Sequence, residues 1–144
     1  NGGSAADSQH IAAELVGRFK KDRSALAGIA LTTNTAVLTS LANDYGYDVI
    51  FSRQVEALGK KNDVVLGIST SGKARNVALG IKQAKKMGIK TVALSGGDGG
   101  EIVKLADVSL LVPSKVTARI QEAHITIAHI ICEMIEQELC QEQK

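Results

Sequence analysis

The chain has 144 residues, of which 44% are hydrophobic but only 3% aromatic, with one proline, no tryptophan and a formal net charge of +2. Apolar content this high offsets the entropy of ordering and excludes a disordered segment, and the length allows one compact domain over 1–144 with a core of Ala, Val, Ile and Leu. Seventeen Lys+Arg nearly balance fifteen Asp+Glu, and no basic cluster is interleaved with aromatics, which argues against nucleic acid as a partner.

In chain order, the apolar spacing predicts a helix over 4–19, a strand over 28–33, helices over 35–43 and 48–58 and a strand over 63–69. It continues with a helix over 74–87, a strand over 90–95, a short helix over 101–105, a strand over 108–112 and a long helix over 117–137. The four strand runs are almost continuously apolar, as expected of strands covered on both faces of a parallel sheet. Their alternation with helices predicts an α/β domain with right-handed crossovers. Pro113 closes the fourth strand, since it cannot continue a ladder. The last helix carries Ile120, Ile127, Ile130, Ile131, Met134 and Ile135, an apolar face wide enough to meet more than one surface.

Charge or polarity interrupts every apolar stretch well before about 18 residues, so no membrane helix fits and a membrane is not an expected partner. Cys132 and Cys140 lie about 12 Å apart along one helix, too far to bridge. Two unbridged thiols and no secretory segment predict a cytoplasmic location. The first residue is Asn1 rather than Met, so upstream sequence is expected to be missing.

Ligands in α/β sheets gather beyond the carboxyl ends of the strands. There the sequence places Ser69-Thr70-Ser71-Gly72 ahead of a helix, and the start Asn1-Gly2-Gly3-Ser4 has the same form. Hydroxyls and free N–H groups at a helix start can cradle a phosphate, but they are equally ordinary capping residues, Ser4 for the helix carrying His10. Both readings stay open. The cluster Gly96-Gly97-Asp98-Gly99-Gly100 reads as a flexible turn that needs no ligand.

His10 and Glu14, four apart, share one helix face, as two ligands of one metal or a simple surface hydrogen bond would. Flanking Ile11, Ala12, Ala13 and Leu15 predict a largely buried helix, in which an unpaired Glu14 would be costly. On the last helix, spacing pairs Gln121 with His124. Gln121 and His129 are about 12 Å apart along the axis and about 80° round it, which disfavours one shared ion. His129 alone, within Ile127-Ala128-His129-Ile130, reads as a core or interface histidine.

Five runs occur in one order: Asn1-Gly2-Gly3-Ser4-Ala5-Ala6-Asp7-Ser8-Gln9-His10, Asn43-Asp44-Tyr45-Gly46, Phe51-Ser52-Arg53-Gln54-Val55-Glu56-Ala57, Gly67-Ile68-Ser69-Thr70-Ser71-Gly72 and Arg119-Ile120-Gln121-Glu122. Together they resemble the phosphoheptose isomerase family of the sugar isomerase (SIS) superfamily, along essentially the whole chain. The resemblance implies a parallel sheet flanked by helices in a Rossmann-like αβα sandwich, with a leading helix and strand that this chain lacks. It implies isomerisation of sedoheptulose 7-phosphate to D-glycero-D-manno-heptose 7-phosphate, the entry to nucleotide-activated heptose for lipopolysaccharide core or other surface glycans. It also implies a homotetramer with sites at subunit boundaries.

By the same resemblance, zinc is held by His10, Glu14, Gln121 and His129. Substrate is held by Asn1, Gly2, Gly3, Ser4, Glu14, Arg18, Asn43, Asp44, Ser69, Thr70, Ser71 and Gln121, with the serine loop on the phosphate. Ala74 departs from relatives that carry a serine there, which removes one hydroxyl donor. Shifting a carbonyl between C1 and C2 requires a proton to leave one carbon and return to the other through an enediol, with Glu14 as base and His129 as acid. Two non-catalytic readings compete: an SIS protein similar to the DnaA initiator-associating factor, and a sugar-phosphate sensor. The initiator-associating relative lacks an acid and a histidine at the positions of Glu14 and His129, both present here.

Overall fold

A computed structural model describes residues 1–140, so the last four positions of the domain expected over 1–144 lie outside the described residues. The elements are α1 (Gly3–Val16), α2 (Thr35–Tyr45), α3 (Ile50–Leu58), β1 (Val64–Ser69), α4 (Arg75–Lys86), β2 (Lys90–Gly96), α5 (Ile102–Leu105), β3 (Val108–Val112) and α6 (Thr117–Leu139). The strands form one parallel sheet in the order β1-β2-β3, with Val64 opposite Lys90 and Val92 opposite Val108.

The central strand carries the core. Ala93 and Leu94 of β2 are both fully buried and, being adjacent in a strand, face opposite sides of the sheet. On one side Ala93 packs with Val77, Ala78 and Ile81 of α4 and Ile102 of α5, and α3 lies outside α4. The apolar stripe of α4 ends at Gly88, whose φ of +72° suits glycine. Its N–H donates to Lys85 O at 3.0 Å and the next N–H, of Ile89, reaches back to Ala84 O at 2.9 Å, closing a Schellman turn. On the other side lie α1 and α6.

Three expectations need correction. Residues 28–33 form no strand: no neighbouring strand pairs with them among the described residues, and Ile29 is 72% exposed. Side chains hold this segment instead, with Gln54 Nε2 donating to Leu31 O at 3.0 Å and Thr32 Oγ1 to Ala5 O at 3.2 Å. β3 is an edge strand, so Val108, Leu110 and Leu111 remain exposed rather than covered on both faces. α1 is not largely buried: Ser4 is its only buried residue, because the helix packs along one stripe against α6. No helix among the described residues is long and apolar enough to cross a membrane.

α1 and α6 run side by side in the same direction, since Gly3 abuts Gln121 at one level and His10 meets His129 about two turns on. Beyond α1 the chain is tied to α6 by Glu136, which is 2% exposed. Burial pushes its carboxyl up, but the backbone N–H groups of Lys20, Phe19 and Lys21 and the nearby Arg23 guanidinium outweigh this and hold it down at about 2. A carboxyl lowered on folding stabilises the protein above the unfolded value near 4.5, and that contribution is lost as pH falls from there through about 2. Acid unfolding followed by circular dichroism is therefore expected to show a stability loss over that range, which Glu136→Gln flattens.

Candidate active site

Two cavities share the carboxyl end of the sheet. The smaller, about 140 Å³, is lined by Asn1, Ser4, Ser69, Thr70, Ser71 and Ala74. The larger, about 520 Å³, shares Thr70 and Ser71 and extends to Lys73, Asp98, Lys115 and Thr117. The two loops singled out in the sequence thus meet at one cavity. Ser4 is not a cap: Gly2 holds that position, and Ser4 lies buried within the first turn of α1. Ala74 is the N-cap of α4 and gives no side-chain cap bond.

The serine loop turns where Gly72 N–H donates to Ser69 O at 3.1 Å, and Ser71 Oγ accepts from Lys73 N–H at 3.2 Å. Gly72 has φ +65°, and a Cβ there would overlap the Gly99 carbonyl. Its own carbonyl accepts N–H groups from Glu101 at 2.9 Å and Ile102 at 3.3 Å, while Ser95 Oγ donates to Gly99 O at 3.1 Å. The cluster 96–100 is therefore more than a flexible turn. Its glycines let the backbone close against the serine loop from behind, and Lys73 and Asp98 pair across the two at 3.1 Å.

Asn1 is fixed by residues that the sequence did not single out. Its amide pairs reciprocally with that of buried Asn76, at 2.9 and 2.8 Å, and Tyr47 O–H donates to Asn1 Oδ1 at 3.0 Å. Asn76 sits in the first turn of α4, where asparagine reads as ordinary helix-start chemistry, so only the fold reveals its partner.

Further along α1, His10 Nε2 lies 3.0 Å from Glu14 Oε1 and 3.5 Å from His129 Nε2. A ligating atom from each of the three residues lies within 4.8 Å of the others. Two imidazole nitrogens and a carboxylate oxygen suit a divalent ion such as zinc, so this donor set fits one. His129 is thus not buried in the core but half-exposed, its ring 5.4 Å from that of Phe19. The side chains of His10 and Glu14 are 46% and 23% exposed and bonded to each other, so Glu14 is not stranded as a buried helix would have left it.

Gln121 lies elsewhere. A Cβ on Gly3 would come within 2.5 Å of its Nε2, so it sits at the Gly3 level, about 12 Å along α6 from His129. His124, the partner that spacing gave it, points into the core, its Nε2 3.0 Å from Ser95 O. Arg18 is exposed, with no ion pair among the described residues. Asn43 and Asp44 are exposed at the end of α2, where Asn43 Nδ2 donates to Asp44 Oδ1 at 2.8 Å. Burial, and then the carboxylates of Glu14 and Glu136, push the Cys132 thiol up, so it is a poor nucleophile beside the cluster.

The SIS domain family model matches residues 1–96. Phosphoheptose isomerase of Sulfurimonas denitrificans is 60% identical over 139 residues, covering 96% of this chain and 71% of that protein. The chain belongs to the phosphoheptose isomerase family of SIS domains. The phosphoheptose isomerase of Clostridium acetobutylicum is likewise 60% identical, with the same coverage of both chains. Among solved structures, phosphoheptose isomerase from Francisella tularensis matches with a TM-score of 0.91 at 39% identity, covering 95% of this chain and 73% of that one. Phosphoheptose isomerase GmhA from Neisseria gonorrhoeae matches with a TM-score of 0.89 at 49% identity and the same coverage. The chain is accordingly an isomerase of this family, and the two non-catalytic readings are not favoured.

Proposed function

We infer that the serine-loop cavity and the His10–Glu14–His129 cluster are two ends of one active site that converts sedoheptulose 7-phosphate to D-glycero-D-manno-heptose 7-phosphate. The reaction is that of the phosphoheptose isomerases to which the chain is related. The observation that carries the arrangement is the convergence of three proton- and metal-competent side chains from α1 and α6. Six residues of α1, a rise of about 9 Å, separate Ser4 at the cavity from His10. That span is comparable to an extended sugar chain from its phosphate to its carbonyl.

In this reading Ser69, Thr70 and Ser71 and the free N–H groups of their loop bind the phosphate. Asn1, Gly2, Gly3, Ser4 and Gln121 line the sugar, and Arg18, Asn43 and Asp44 complete substrate binding in the assembled protein. The Glu14 carboxylate takes a proton from C1 and returns it to C2, and His129 moves the proton between the two oxygens, so the ketose becomes an aldose with no net change in atoms or electrons. Zinc held by His10, Glu14 and His129 would polarise the carbonyl and stabilise negative charge on the enediolate. Gln121 joins these as a fourth ligand only where an assembly brings it to the cluster.

A homotetramer is supported by apolar side chains left outside on α6, with Ile130 52% and Met134 61% exposed. Unbridged Cys132 and Cys140 support a cytoplasmic site of action, and the product would feed nucleotide-activated heptose for surface glycans. The test is an assay of heptose phosphate isomerisation on the zinc-loaded protein with metal analysis. Turnover with about one zinc per subunit, lost on chelation and restored by zinc, is expected. Absence of turnover would overturn the active-site reading, and full activity without metal would remove zinc from it.

A further inference from the structure

A buried polar contact between α6 and the chain leaving α1 lies outside the site. Glu136 stands seven residues beyond His129, two turns along the same face of α6. Its Oε1 accepts from Phe19 N–H at 2.9 Å and Arg23 Nε at 3.0 Å, and its Oε2 from the N–H groups of Lys20 at 2.9 Å and Lys21 at 3.2 Å. Arg23, 5% exposed at its side chain, turns its other nitrogens mainly to the end of α1: Nη2 donates to Glu14 O at 2.9 Å, and Nη1 to Leu15 O at 2.8 Å, to Ser24 O at 3.1 Å and to Gly17 O, just past the helix, at 3.3 Å.

One carboxylate therefore reaches both sides of the reacting cluster. Through Arg23 it holds the backbone of Glu14, and through the Phe19 N–H it holds the residue whose ring lies against His129. An ion pair buried this deeply is weak support for stability, because desolvation offsets much of the attraction, whereas its fixed geometry orients what it touches.

We propose that Glu136, acting through Arg23 and Phe19, is a positioning residue that sets the distance and orientation of Glu14 against His129 for the isomerisation. This rests on the reading of that cluster as the reacting centre, and it assigns Glu136 no contact with substrate.

Glu136→Gln tests it in the full chain. Glutamine keeps the size but has one acceptor oxygen, and its amide turns N–H groups toward donors, so one half of the four-donor clamp opens. The expected result is a folded protein whose zinc affinity, measured by competition with a chelator, falls by about 10- to 100-fold, the range found when groups that orient metal ligands are removed. A similar fall in kcat with KM within about twofold is expected, because the phosphate loop lies on the sheet, away from the clamp. A folded variant with zinc affinity and kcat both within about twofold of the parent overturns the proposal. If Glu136→Gln does not fold, the double variant Glu136→Gln with Arg23→Gln, which leaves no unpaired buried charge, takes the same two measurements. Failure of both to fold would also overturn it, by making the pair a requirement of folding. A parent that binds no zinc defeats the metal reading alone, since the separation of kcat from KM still reports on position.

Discussion

Glu14→Gln is expected to lower kcat by roughly 10³-fold or more while the fold survives, since positioned acid–base groups contribute on the order of 10² to 10⁴ and no other carboxylate joins the two histidines in the cluster among the described residues. Its side chain is 23% exposed and, among the described residues, hydrogen-bonds only to His10, so stability should change by about 0.5 kcal/mol or less. Circular dichroism and urea unfolding check the fold, and a coupled assay checks turnover. Metal content then separates the two roles of this carboxylate. Zinc retained with turnover lost identifies the base, whereas zinc and turnover lost together identify a ligand. Activity within tenfold of the parent would remove Glu14 from the chemistry altogether.

Gly72→Ala is expected to be the most damaging single methyl group in the chain. The residue has φ +65°, where a side chain is strained, and the added carbon would overlap the carbonyl of Gly99, backbone that is itself held by Ser95. Strain and overpacking together should cost about 2–4 kcal/mol, read as a lower urea midpoint at unchanged slope. Because Gly72 O also receives the N–H groups of Glu101 and Ile102, the serine loop should shift as a unit, and KM for the sugar phosphate should rise more than kcat falls. A variant with parental stability and KM would mean that the loop relaxes without its glycine contact.

The legible parts of the fold are those with local causes. β1, β2 and β3 are short apolar runs between turn residues, and their observed bounds fall within one residue of those that spacing predicts. The run at 28–33 has the same composition and no ladder, because a strand is made by its neighbour as well as by its own residues. β3 likewise reads as buried in sequence and is exposed at an edge, since composition does not record position in the sheet.

The site divides in the same way. His10 and Glu14 could be placed together from the sequence because four residues of helix put them on one face. His129 could not, for nothing at 119 residues' separation marks it as their neighbour, and alone it reads as a packing histidine. The motifs supplied the candidates by resemblance. Asn76, Tyr47, Arg23 and Glu136 stayed invisible because each works through a partner distant in the chain.

The α/β alternation, the strand ends rich in hydroxyl and glycine, the pairing of His10 with Glu14 and membership in an isomerase family can all be read from the chain's residues and their spacing and motifs. That α1 and α6 run together, so that His129 closes on that pair while Gln121 stays beside Gly3, emerges from the packing of the two helices. Contacts between elements likewise close the glycine cluster behind the serine loop and tie the two helices through a buried carboxylate. Helical and strand periods are set by backbone geometry within a few residues, whereas contacts between elements follow from packing that no local spacing encodes.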